Sequence, residues 1–185
     1  MRARHLRRTV ALAAVTALGA TGFATVGASA ADRQDDEGDV ATLTMAVDGK
    51  ALVFEGPTRV EAGADLRIVN ETDPRKIGPH TFSLVEKDLR PNSEDEAKDC
   101  FKFKLEVCVD IAKAHKVDFR KETIGKPDVE VGKKGWDASF GKKGDTWFTF
   151  EEDEETERKI TAKAGSKLFY LCVIHPEMQG KLKVK

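Results

Sequence analysis

Within residues 170–180 the chain places a thiol, an imidazole and a thioether on a seven-residue stretch, as Cys172, His175 and Met178, at the end of the apolar run 168–174. These are soft and intermediate donors that suit copper in both oxidation states. Three residues on one loop do not complete such a site, so a further imidazole must arrive from another strand. His80, in Pro79-His80-Thr81-Phe82, is placed to supply it. The candidate ligand set is therefore His80, Cys172, His175 and Met178.

Short strands must position these residues. Leu43, Met45 and Val47 alternate with Thr44, Ala46 and Asp48, a period of two, and Gly49-Lys50 turns the chain into a second strand over 51–54. Further strands are expected at 58–60, 66–69, 81–85, 146–150, 159–162, 167–173 and 181–184, separated by Gly, Asn, Asp and Pro. Many short strands with turn signals indicate an all-β sandwich.

Between residues 87 and 145 the pattern breaks, and the segment reads as a partly helical insertion. Ser93-Glu94-Asp95-Glu96 has the form of a capping box, yet Phe101, Phe103, Leu105, Val107, Val109 and Ile111 alternate as in a strand, and periodicity leaves the two open. Residues 109–115 favour a short helix. His115 has no His or Cys at ligand spacing and is expected on the surface of that helix. Trp136 and Trp147 are expected to fill the sandwich or cover the insertion.

Residues 1–30 read as an export signal, with Arg2, Arg4, Arg7 and Arg8 before an apolar stretch and Ala28-Ser29-Ala30 as a small-x-small cleavage site. Arg7-Arg8 is compatible with twin-arginine export as well as ordinary secretion. Residues 31–41 are expected to be a flexible leader and 42–185 one domain, so the protein is exported, extracellular or periplasmic. Beyond the signal, no apolar stretch approaches the ~20 residues that span a bilayer. The chain holds 31 basic and 32 acidic residues, and removal of the signal leaves 27 against 32, a net charge of −5. With acidic residues massed at 151–157, nothing points to nucleic acid. That run reads as a solvated loop or as a docking patch for a basic partner. Three cysteines are an odd number for an exported chain; if Cys172 is the metal thiolate, Cys100 and Cys108 remain as a pair. Eight residues of continuous helix rise about 12 Å, beyond the ~7 Å limit for bridged Cα atoms, so a disulfide there requires a bend.

Pro79-His80-Thr81-Phe82 together with Cys172-x2-His175-x2-Met178, Gly180 and a final strand resembles the type 1 copper motif of the cupredoxins, most closely the amicyanin and plastocyanin-like members. The resemblance covers residues 43–85 and 147–184 and implies a Greek-key β-sandwich with one type 1 copper ion at its pole. It also implies an exported one-electron carrier, expected to be a monomer, whose redox partner docks near His175. Two departures stand out: Asn70 precedes His80 by ten residues where relatives place a bracing Asn closer, and Thr81 stands where many carry Asn. No enzyme is expected, because the only spare histidine outside the signal is His115 and no acid is placed to orient a Cys–His pair. The alternative function is copper storage or delivery with the same ligands.

Overall fold

Alternation of buried and exposed side chains builds the first layer. The computed structural model describes residues 40–117, 127–132, 134–137 and 145–185. Strands β1 (Val40–Asp48), β2 (Ala51–Glu55), β4 (Asp65–Asn70) and β8 (Glu154–Lys159) form one sheet in the order β2-β1-β4-β8. In β1 Leu43 and Met45 point inward, and in β4 Leu66 and Ile68 do the same. The second sheet has the order β3-β10-β9-β5-β7-β6, from Arg59–Val60, Gln179–Val184, Lys167–Leu171, His80–Val85, Thr146–Thr149 and Glu130–Val131. Besides the consecutive pairs β1–β2 and β9–β10, strands distant in sequence meet: β1 pairs parallel with β4, and β5 lies between β9 and β7. The chain is thus a β-sandwich of two mixed sheets, as the alternation predicts.

Leu43, Met45, Leu66, Ile68, Phe82, Trp136, Leu168, Tyr170 and Leu182 share the core between the sheets. Trp136 is buried completely, donates its indole N–H to the Leu66 carbonyl and meets Phe82 edge-on at 5.0 Å. It fills the sandwich. Gly180, opposite Tyr170 in the β9–β10 pair, lies so close to the phenol that an added Cβ would sit 2.3 Å from its oxygen. Only glycine fits there.

Strand β5 is buried along its whole length, because its outer face is also covered. The cover is a helical hairpin, α2 (Glu94–Phe101) and α3 (Glu106–Ala114), with Val107, Cys108 and Ile111 packed on Val85, Leu171 and Val173. Ser93 caps α2 by accepting from Glu96 N–H, and Glu96 accepts in return from Asn92 N–H. Helix therefore prevails over the alternating pattern of 101–111. The bend between the helices, where Phe103 takes a φ of 51°, brings the Cα atoms of Cys100 and Cys108 to 5.4 Å and the pair forms a disulfide.

Three expectations are corrected. The acidic run is no loop throughout: its second half is β8, paired antiparallel with β4, while the strand expected at 159–162 ends at Lys159. Glu155 and Glu157 face outward beside Arg67, and the inward positions carry Thr156 and Arg158, a polar face that hides the strand from a hydrophobic pattern. Arg158 is buried against the Trp136 ring at 4.2 Å and donates to the Val131 and Gly132 carbonyls. His115, expected at a helix surface, is fully buried. It ends α3, where the ring turns inward onto β7. The expected export signal and most of the leader lie outside the described residues, although Val40 and Ala41 already belong to β1. Among the described residues no helix is long and apolar enough to cross a membrane.

The disulfide yields the first prediction. Replacing Cys100 and Cys108 with serine should destabilise the protein by about 2–3 kcal/mol, the chain-entropy value for so short a loop, read as a lower denaturation midpoint. Thiol titration of the unfolded, unreduced, metal-free protein should find Cys172 alone; three reactive thiols would contradict the bridge.

Candidate metal centre

The antiparallel pairing of β5 with β9 sets Ser83 opposite Leu171, so the next residues beyond that pairing are Thr81 and Phe82 on one strand and Cys172 and Val173 on the other. Thr81 N–H reaches across to the Cys172 sulfur at 3.3 Å, and the Thr81 hydroxyl oxygen accepts from Val173 N–H at 3.0 Å. His80, at the first position of β5, is thereby fixed beside the thiol. After Cys172 the chain turns: His175 C=O accepts from Met178 N–H, and Met178 C=O accepts from Cys172 N–H, which closes a small loop before β10 begins. Gln179 pins that loop from its far side, donating to the carbonyls of Pro176 and Pro91.

The loop brings three donor atoms into one triangle. His80 Nδ1 lies 3.8 Å from Cys172 Sγ, His175 Nδ1 lies 3.7 Å from it, and the two nitrogens are 3.2 Å apart. A point about 2.1 Å from all three exists at the centre of such a triangle, and that is the ordinary length of a metal–imidazole bond and close to that of a metal–thiolate bond. Three such donors brought this near to one another fit a cation. Cys172 and His80 are fully buried and His175 is half-buried. Met178 is buried at the end of the same loop.

Outer contacts fix which nitrogen faces inward. His175 Nε2 donates to the Ile77 carbonyl at 2.8 Å, so its Nδ1 is left free of a proton in the neutral ring. Ile77 ends the short helix α1 (Pro74–Ile77), whose start is capped by Asp73 accepting from Arg75 N–H. This helix, absent from the strand pattern, occupies what reads in the sequence as an extended loop. Asn70 sits before it: its amide accepts from Thr72 N–H and hydroxyl and donates to the Glu151 carbonyl and to Thr149, the residue paired with His80 in the sheet. Asn70 therefore braces the loops around the pole and not the ligands themselves. Thr81, in the place of an Asn, bonds the sulfur through its backbone and Val173 through its side chain.

Burial, and after it the neighbouring His175, lowers the pKa of His80 to about 4. Burial also lowers His175, opposed by its bond to Ile77 and by Glu177. Both rings are thus held neutral and able to donate a lone pair. Burial raises the Cys172 thiol, opposed by hydrogen bonds from Thr81, His175 and Ile174, so the thiolate requires a cation beside it and metal binding must release a proton.

Four further residues, Ser83, Thr146, His115 and Ile77, belong to this neighbourhood and carried no spacing signal. Polar side chains on fully buried strand positions were the available clue for Ser83 and Thr146.

No family model matches the chain, and no curated protein matches it. Solved structures do. Auracyanin A, a blue copper protein from the green thermophilic photosynthetic bacterium Chloroflexus aurantiacus, is 20% identical over 80% of this chain and 98% of its own, with a TM-score of 0.41. Reduced auracyanin from Roseiflexus castenholzii is 14% identical over 79% and 96%, TM-score 0.41, and amicyanin from Paracoccus versutus 14% over 80% and 82%, TM-score 0.36. The reading of the site rests on the chain's own donor atoms.

A depressed histidine pKa fixes the sign of a pH effect. The unfolded chain binds a proton at His80 near pH 6.5 and the folded chain only near 4, so stability present above 6.5 is lost as pH falls between these values. Metal-free protein should lose on the order of 3 kcal/mol across that window, and His80→Gln should flatten the loss. Denaturant midpoints measured from pH 7 to 4 check this, and equal slopes in the two proteins would contradict it.

Proposed function

We propose that this chain is an exported type 1 copper protein of the cupredoxin kind that carries one electron. The observation that supports this most strongly is the donor triangle of His80 Nδ1, Cys172 Sγ and His175 Nδ1, with its sides of 3.8, 3.7 and 3.2 Å. Two imidazoles, a thiolate and a weak thioether are the donors of blue-copper electron-transfer sites; His80, Cys172 and His175 would hold the ion, and Met178 is proposed as the further, weak donor. When bound, copper supplies reversible one-electron cycling. The chain's own part is to hold the donors in one geometry for both oxidation states: Thr81 N–H fixes the sulfur, Ile77 C=O fixes the His175 ring, and the sandwich core fixes His80. Water is kept from the sulfur by Phe82, Tyr170 and Ile174, which pack in the same core as Cys172.

His175 is the ligand closest to solvent and is the proposed point of electron entry. It lines a groove of about 330 Å³ with Ile174, Pro176 and Glu177 on one wall and Ala97, Phe101 and Lys102 of the α2 segment on the other. Phe101 is 60% exposed there. The insertion thus forms half of the surface to which a redox partner is proposed to dock, and Lys102 favours an acidic rim on that partner.

Purified protein should turn intensely blue with one equivalent of Cu(II) and bleach reversibly on reduction. Cys172→Ala should abolish the colour; Met178→Leu should keep it and raise the potential, since loss of the thioether disfavours Cu(II). A colourless protein that binds only Cu(I) would favour storage or delivery over electron transfer. Phe101→Asp should slow electron exchange with a protein partner several-fold while leaving spectrum and potential unchanged, which stopped-flow kinetics beside the optical spectrum would measure; equal exchange rates would move the docking surface elsewhere.

A further inference from the structure

Leading away from the sulfur is a line of buried hydroxyls. Thr81, whose N–H donates to the Cys172 sulfur at 3.3 Å, has its hydroxyl 3.1 Å from that of Ser83; Ser83 lies 2.6 Å from the Thr146 hydroxyl, and Thr146 lies 2.9 Å from His115 Nε2. All four residues beyond the sulfur are 0% exposed. At the far end His115 Nδ1 sits 2.5 Å from the Asp128 carbonyl. We propose that His115 is a positioning residue whose protonation sets the direction of this hydroxyl chain and so switches a hydrogen bond to the Cys172 sulfur, making the reduction potential depend on pH. The inference rests on the copper reading above.

Counting protons gives the switch. A carbonyl only accepts, so His115 Nδ1 carries a proton in either state, and a neutral ring must then accept at Nε2. Thr146 donates to it, Ser83 donates to Thr146, and Thr81 donates to Ser83. Each hydroxyl has one proton, and none remains for the sulfur. With a charged ring the order reverses: Nε2 donates to Thr146, Thr146 to Ser83 and Ser83 to Thr81, which frees the Thr81 hydroxyl for Cys172. The Ser83 hydroxyl is placed to donate to Thr81, the link on which the second order depends.

A hydrogen bond to the sulfur favours the reduced centre, where the thiolate carries more charge. Reduction brings one electron from the redox partner, and the accompanying proton comes from solvent to His115 Nε2. No other bond forms or breaks; the hydroxyl protons only rotate. Among the described residues the groups facing His115 are few. Burial lowers the His115 pKa, with Arg158 adding to this, and Asp128 opposes it through its carbonyl and through a carboxylate that also meets Lys116 at 3.7 Å. Phe148 packs edge-on against the ring at 5.3 Å. Asp145 precedes Thr146 and is itself raised by burial to about 6, so it titrates in the same range and serves as the control.

The experiment is a spectroelectrochemical titration of the full-length copper-loaded protein from about pH 8 to 5, the range in which a histidine changes charge. Wild type should show a potential that rises as pH falls, with a single-proton inflection. His115→Gln and Ser83→Ala should both remain blue and lose the inflection, while Asp145→Asn keeps it. In the Cu(I) protein, NMR of the His115 ring should show its pKa falling when Ser83→Ala cuts the chain. An inflection unchanged in His115→Gln, or lost in Asp145→Asn, would assign the proton elsewhere and overturn the proposal. Loss of copper binding in His115→Gln would overturn it as well, because the insertion would then supply a ligand. Absence of blue colour in wild type would instead fail the copper reading itself.

Discussion

The pairing of β5 with β9 is the constraint on which the site depends. A thiol buried at the end of a strand needs a polar partner, and the register that sets Ser83 against Leu171 delivers Thr81 N–H to it. The same register puts His80 one residue before Thr81 and starts the ligand loop one residue after Leu171. A slip by a single residue would reverse every side chain of β5 and carry His80 away from the sulfur. Gly180 holds the register from the other side, since its contact with Tyr170 admits no side chain in the β9–β10 pair.

The described part of the insertion packs against that pairing. Its disulfide-closed helical hairpin covers the outer face of β5 and β9, so the strand pair is buried on both faces and the site lies in a dry environment. Low polarity around the donors has consequences for all three: it keeps both imidazoles neutral and leaves the thiol reluctant to ionise without a cation. A rigid, dry donor set is what one-electron exchange requires, because little has to move when the charge changes. The hairpin also reaches the pole, where Phe101 meets the groove beside His175, and at its other end His115 enters the polar chain through Thr146.

Much of this was legible from the residues. The spacing of Cys172, His175 and Met178, with His80 on a separate strand, anticipated the three donors that converge, and the alternation in 43–47 and 66–69 anticipated the inward faces of β1 and β4. The Cys100–Cys108 bridge followed from cysteine arithmetic plus the need for a bend. What escaped was polar and long-range. The β8 strand was hidden because its buried face is Thr156 and Arg158, the latter stabilised by stacking on Trp136, a partner that no local pattern reveals. His115 looked like a surface residue because its two partners, the Asp128 carbonyl and Thr146, come from a distant loop and strand. Helix α1 was missed because four residues capped by Asp73 carry no periodicity.

The central claim is that the chain itself holds two imidazoles and a thiolate in the geometry copper needs. A crystal structure of the copper-loaded protein tests it most directly. The account predicts one ion about 2.1 Å from His80 Nδ1 and His175 Nδ1 and about 2.3 Å from Cys172 Sγ, with the separations among these atoms still close to 3.8, 3.7 and 3.2 Å. Copper held through Nε2 of either ring, or bound away from Cys172, would contradict it.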